Sequence, residues 1–239
     1  MKAMILAAGF GTRLGELGKS TAKCLVQAGG KPLLEQVVDR LKLAGVQELV
    51  INLHHLGDQV RDYVKSQNNF GLKVSFSEEQ EILGTGGGIL HAQKLLSNCE
   101  EFIVHNGDVF SDLDLTQVVA AHRKENAFAT LVVQERAGSR PLLFSTDNKL
   151  IGWENKNTGE QKLIRTGKNR AYGFSGIQIL SNRIFTYLSK RSGSFSSIST
   201  YLDAAEAGEK IQPFIHSGYW LDVGTPERLA ELKARLEVR

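Results

Sequence analysis

Leu6-Ala7-Ala8-Gly9-Phe10-Gly11-Thr12-Arg13-Leu14-Gly15 sets two glycines directly behind a short apolar run. In such a place a backbone can approach a phosphate chain closely and offer it N–H groups. Spacing separates this loop from the familiar ones. A dinucleotide fingerprint G-x-G-x-x-G would have its third glycine at Leu14, and a Walker loop ending in Gly18-Lys19-Ser20 would need glycine at Arg13. Both fail, which leaves a phosphate loop of another kind or a plain turn after a strand. The six histidines show no metal-ligand spacing, and His54-His55 reads as a strand end. Cys24, beside Lys23, reads as a packed structural thiol rather than an activated one.

A loop of this kind needs a strand before it and a sheet to hold it. Apolar runs alternate with helix-period segments, the pattern of βα units. Ala3–Ala8 reads as the first strand, Leu34, Val37, Val38 and Leu41 as a helix face, and Leu49–Leu53 as the second strand. Val60–Lys65 is helical, Leu72–Phe76 a strand, Ile89–Leu96 a helix and Phe102–His105 a strand. Leu115, Val118, Val119 and His122 form the next helix face, and Ala129–Val133 a further buried run. About five strands in a doubly wound order result. After Gln134, Leu142–Phe144, Leu150–Trp153 and Ile177–Leu180 read as short antiparallel strands added to one edge, with few helical signals between them. Thr225-Pro226 caps a last helix carrying Leu229, Leu232 and Leu236. The fold class is α/β: a doubly wound, mainly parallel sheet with a small antiparallel insertion, in one domain over 1–239.

Composition fits this reading. In 239 residues the hydrophobic share is 41% and the charged share 23%, which excludes disorder and collagen. No apolar run nears the roughly 18 residues of a membrane helix. Twenty-nine basic against 26 acidic residues leave +3, too little for a nucleic-acid groove but compatible with cations placed for a small anionic ligand. Neither nucleic acid nor membrane is expected as a partner. Two cysteines are too few for a disulfide framework, and the expected compartment is the cytoplasm.

Further blocks carry a resemblance. Leu6 to Arg13, Lys23 and Gly30-Lys31-Pro32-Leu33-Leu34 are similar to the L-A-A-G-x-G-T-R-L, P-K and G-K-P-L signature of the sugar nucleotidyltransferases. Glu79 ahead of Leu83-Gly84-Thr85-Gly86-Gly87-Gly88, Asn106-Gly107-Asp108, Phe174-Ser175-Gly176 and Trp220 to Pro226 follow in order. There are departures. Ala22 stands where the family usually has proline, and Glu16-Leu17-Gly18 replaces its P-L-T.

The resemblance implies a Rossmann-like fold whose 1–133 half binds nucleotide and whose 134–239 half binds sugar phosphate. It implies that a sugar 1-phosphate attacks the α-phosphorus of a nucleoside triphosphate, UTP or GTP, and expels pyrophosphate. Cations and Mg²⁺ then absorb the charge. A phosphate with second pKa of about 6 is already dianionic, so no general base is needed. By resemblance, Ala8, Gly9, Gly11 and Thr12 hold phosphates, Arg13 clamps the departing pair, and Lys23 bridges the two reacting phosphates. Asp108 and Asp222 ligate Mg²⁺. Glu79, Gly84, Thr85, Gly86 and Asn106 belong to the nucleotide site, and Arg140, Glu154, Asn155, Gly173 and Ser175 to the sugar site. The short single-domain members are nearest, which points to N-acetylmuramate 1-phosphate with UTP, or to mannose 1-phosphate with GTP. A phosphocholine cytidylyltransferase, with Trp153, Tyr172, Phe174 and Trp220 as an aromatic box, and a non-enzymatic regulatory homologue remain open. So does the choice between monomer and homodimer.

Overall fold

Four strands lie side by side and parallel, in the order Lys73–Glu78, Glu48–Leu53, Lys2–Leu6, Glu101–Asn106. The chain forms a computed structural model in which residues 1–237 are described. Alternate side chains of these strands serve opposite faces, as the two-residue period of a strand demands. Met4, Val50, Phe102 and Val104 join one core, with Ile89 and Tyr201. Ala3, Ile5, Leu49, Ile51 and Ile103 join the other, with Val38, Val60 and Val118. Helices therefore cover both faces, the reason these strands read as continuous apolar runs.

The helices follow from local chemistry. Leu33–Leu43 buries Leu34, Val37, Val38 and Leu41 on one stripe and stops before Gly45, whose φ is +79°. Leu115–Lys124 is capped by Asp114, which accepts the Thr116 N–H at 2.9 Å. Its buried His122 keeps Nδ1 2.9 Å from Thr130 Oγ1, and burial lowers its pKa. The final helix starts at Pro226, with Leu229 and Leu232 buried and Leu236 packed beside them.

The second half departs from the sequence reading in two ways. Ile177–Leu180 is the end of a thirteen-residue strand, Asn169–Ser181, and that strand lies inside the sheet, not at its edge. It runs antiparallel between Glu101–Asn106 and Ala129–Gln134, so the latter is not the neighbour of the parallel set. Ile211–Ile215 closes that side, parallel to Ala129–Gln134. The reason is burial: Ile177, Gln178, Ile179 and Leu180 are all at most 2% exposed, the profile of an inner strand. The polar Gln178 disguises it in the sequence. The first part of the strand pairs instead with Leu142–Ser145, which continues through Leu150–Glu154 to Gln161–Leu163 as the expected antiparallel insertion. The other departure is a helix, Ser197–Glu206, that buries Thr200, Tyr201, Leu202, Ala204 and Ala205. Small and hydroxyl side chains make up much of that face, so its periodicity is faint.

The long strand changes partners at an irregularity between Phe174 and Gln178, where Gly176 has φ +72°. A Cβ there would lie 2.5 Å from Asn106 Nδ2, so Gly176 both makes the bend and clears space for Asn106. Gly176→Ala should lower the urea midpoint by the equivalent of about 1–2 kcal/mol from the left-handed backbone alone. An unchanged midpoint would show that the bend tolerates a side chain.

Candidate active site

The parallel strands end together, and four of the expected residues lie at or just beyond those ends: Ala8, Glu79, Asn106 and Asp108. Crevices outside the carboxyl ends of such strands are where ligands bind in open α/β sheets. One cavity, of about 350 Å³, is lined there by Ala8, Gly9, Gly11, Thr12, Arg13 and Lys23 from one side. Glu79, Gly84, Thr85, Asn106 and Asp108 face it from the other.

A chain of buried hydrogen bonds shapes the glycine loop. The Ala7 N–H donates to Asn52 Oδ1 at 2.7 Å, and Asn52 Nδ2 donates to Glu79 Oε1 at 2.6 Å. Glu79 Oε2 accepts the Leu83 N–H at 3.0 Å. Asn52 and Glu79 are 3% and 5% exposed, so Glu79 spends both oxygens holding the walls in place. Asn52 is a site residue to which motif spacing alone assigns no role, although a polar residue near the end of an apolar strand is the signal for it. Gly88 exists for this network, since a Cβ there would lie 2.7 Å from Glu79 Oε1. Gly86 does not line the cavity; any Cβ on it would run into the Phe195 ring. Thr85 lines the cavity, yet its Oγ1 also accepts the Ser197 N–H at 2.9 Å, tying two helix starts together.

Lys23 pairs with Asp108. The replaced proline has a local substitute. Ala22 has φ −56°, within proline's range, and its N–H donates to Gln59 Oε1 at 3.0 Å. Gln59 Nε2 donates to Ser20 O at 2.9 Å, so one side chain grips the chain on both sides of Thr21. Arg13 lines the same cavity with its guanidinium beside Gly224, and it makes no ion pair among the described residues. Cys24 is packed beneath, where burial pushes its thiol up to about 12. His54 Nδ1 lies 2.8 Å from Glu79 O, and Phe10 packs edge-on against its ring, which accounts for the histidine pair without a metal.

Asp222 reaches the site through a two-stranded ribbon, Val109–Ser111 with Trp220–Asp222. Asp222 stands opposite Val109, and the Val223 N–H donates to Asp108 O at 2.8 Å. The two aspartates are therefore neighbours across a ladder, with Cα atoms within about 8 Å. Arg228 pairs with Asp222. No cluster of three His, Cys, Asp or Glu side chains forms among the described residues.

A second cavity, of about 800 Å³, meets the first at Asn106, which lines both. Asp222, Arg140, Asn155 and Gly173 line it, together with Arg136, Trp153 and Phe174. Glu154 and Ser175 do not. Glu154 lies 3.8 Å from Lys156, while Ser175 is fully buried and its carbonyl accepts the Trp220 indole N–H at 2.7 Å. Asn155 turns its Oδ1 to the Asn157 N–H at 3.1 Å. The four aromatic rings form no open box, since Arg136 covers Trp220 at 4.1 Å and Tyr172 is 1% exposed. Arg136 escaped the sequence reading because it follows its strand with no periodic or motif signal.

Residues 2–238 match the nucleotidyl transferase family model. The N-acetylmuramate alpha-1-phosphate uridylyltransferase of Neisseria meningitidis serogroup B is 35% identical over 239 residues, covering 98% of this chain and 97% of that protein. A mannose-1-phosphate guanyltransferase of Yarrowia lipolytica is 31% identical over 95% of this chain, which spans 61% of that longer protein. Among solved structures, HddC from Yersinia pseudotuberculosis complexed with GMP-PN superposes with a TM-score of 0.77 at 27% identity, over 98% of each chain. A UDP-glucose pyrophosphorylase complexed with UDP-glucose shares the fold, with a TM-score of 0.81 at 21% identity over 100% of this chain and 99% of that one. Matched over nearly its whole length by the family model and by a relative at 35% identity, this chain belongs to the nucleotidyl transferase family.

Proposed function

We propose that the chain joins a sugar 1-phosphate to a nucleoside triphosphate with release of pyrophosphate, and that its substrates are N-acetylmuramate 1-phosphate and UTP. The observation that carries the reaction is the pair of cavities meeting at Asn106. One has a glycine loop, Arg13 and Lys23; the other is larger and opens off the Asp222 side. The nucleotide occupies the first and the sugar the second, so that the 1–133 and 134–239 halves each supply one. The choice of sugar and base leans on the Neisseria relative, which matches this chain nearly end to end, whereas the Yarrowia guanyltransferase has additional length.

The incoming phosphate oxygen attacks the α-phosphorus in line and pyrophosphate leaves from the far side. Loop N–H groups at Gly9 and Gly11 receive the triphosphate, Arg13 takes the departing phosphates as a two-pronged donor, and Lys23 lies between the reacting groups. Each acts most strongly when charge is most crowded, which is what lowers a barrier. Asp108 and Asp222, brought near each other by the pairing of Val109–Ser111 with Trp220–Asp222, would hold Mg²⁺ through hard carboxylate oxygens. When bound, the ion would neutralise phosphate charge. All four charged residues needed for chemistry converge on the cavities, against a regulatory homologue, and the covered Trp220 ring argues against phosphocholine.

Pyrophosphate release across four nucleoside triphosphates and a panel of sugar 1-phosphates tests the assignment. UTP with N-acetylmuramate 1-phosphate should be fastest, and chelation of divalent metal should stop it. GTP with mannose 1-phosphate fastest would replace this reading. Asp108→Asn should cost about 100-fold or more in kcat with an unchanged circular dichroism spectrum; full activity would remove Asp108 from the mechanism. Gln59→Leu should lower kcat by releasing Lys23, and adding Ala22→Pro should restore it, since Thr21 is already extended as a residue before proline must be. Absence of rescue would separate Gln59 from the placing of Lys23.

A further inference from the structure

Arg136 is a half-buried cation without a carboxylate partner among the described residues. Its guanidinium lies over the Trp220 ring at 4.1 Å, and the Trp220 N–H is itself fixed on Ser175 O. Nη2 donates to Phe174 O at 2.7 Å, while Nε is buried with no partner. A Cβ on Gly173 would lie 2.7 Å from that Nε, so the bare glycine makes room for the guanidinium, whose Nη1 has no partner among the described residues. Burial and the nearby Arg228 both pull the Arg136 pKa down. A desolvated cation with unspent donors is costly unless a ligand supplies the anion. Arg140 lines the same cavity but is exposed and makes no hydrogen bond or ion pair among the described residues.

The phosphates have their own cations, since Arg13 and Lys23 line the other cavity and Arg136 does not. We infer that Arg136, rather than Arg140, selects the sugar by holding a carboxylate carried on the sugar ring, an inference that rests on the acceptor proposed above. A planar fork stacked on an indole matches a planar carboxylate in a way that a flexible surface cation does not.

The test compares N-acetylmuramate 1-phosphate with N-acetylglucosamine 1-phosphate, which differ by the lactyl carboxylate, in pyrophosphate release with UTP. Arg136→Met keeps the apolar stem and removes the fork. It should lose about tenfold or more kcat/KM on the muramate relative to the glucosamine sugar, mainly through KM, with a thermal midpoint near the parent's. If Arg136→Met folds poorly, Arg136→Lys reads the same discrimination, because a point charge replaces the fork only in part. Equal losses on both sugars, as a purely structural or phosphate-binding role would give, overturn the inference alone. So does discrimination that follows Arg140→Ala and not Arg136→Met. A parent enzyme that ignores the muramate overturns the proposed acceptor and this inference together.

Discussion

The site depends on one buried carboxylate. Glu79 is almost wholly removed from water, and a carboxylate so placed costs several kcal/mol unless its oxygens are hydrogen-bonded. Its two partners come from different places, Asn52 on the neighbouring strand and the Leu83 N–H at the entrance to the next helix. Satisfying Glu79 therefore fixes the separation of two loops. Asn52 passes the constraint on to Ala7, the first residue of the glycine loop. Removing any member leaves a buried polar group unpaired, so the loop's shape and the strands' register are coupled. The walls of this cavity are therefore set by the fold's own hydrogen bonds.

The same economy governs the charges. Lys23 is held by Asp108 and Arg228 by Asp222, so the two carboxylates expected to hold a metal stand beside cations. Neither charge pair is fully dry, and each keeps its members ordered at little net cost. Charges already ordered in this way would help a transition state without reorganisation.

How much of this was legible in the sequence follows from how local each signal is. The glycine loop, Lys23, Asn106 and Asp108 all sit within a few residues of a strand end, so a short motif contains both the element and the group it positions. The four parallel strands are legible for a similar reason, as buried apolar runs. The inner place of Ile177–Leu180 is not, because Gln178 breaks its apolar run and its partners there lie far off in the chain, with Leu131 opposite Gln178. Nor is Gly86 legible as a packing residue: whether a glycine faces a ligand or a ring such as Phe195 depends on a loop more than a hundred residues later. Ser175 and Glu154 were placed at the sugar by motif alone, and the pleat sends one into the core and leaves the other beside Lys156.

The residues the sequence hides are those whose role arises from long-range pairing. Gln59 lies on a helix, with nothing local to connect it with Ala22, yet its amide supplies from a distance the restraint that a proline ring would supply within the backbone. Arg136 becomes special only when Trp220, 84 positions away in a ribbon with Val109–Ser111, slides beneath it. That ribbon also brings Asp222 to Asp108. One short pairing thus places Asp222 and the ring beneath the Arg136 guanidinium on the same strand, two residues apart. The wall of the larger cavity, which Arg136 and Asp222 share, is thereby tied through one ribbon to Asp108 in the smaller one, so a change at either end of that ribbon is felt in both cavities.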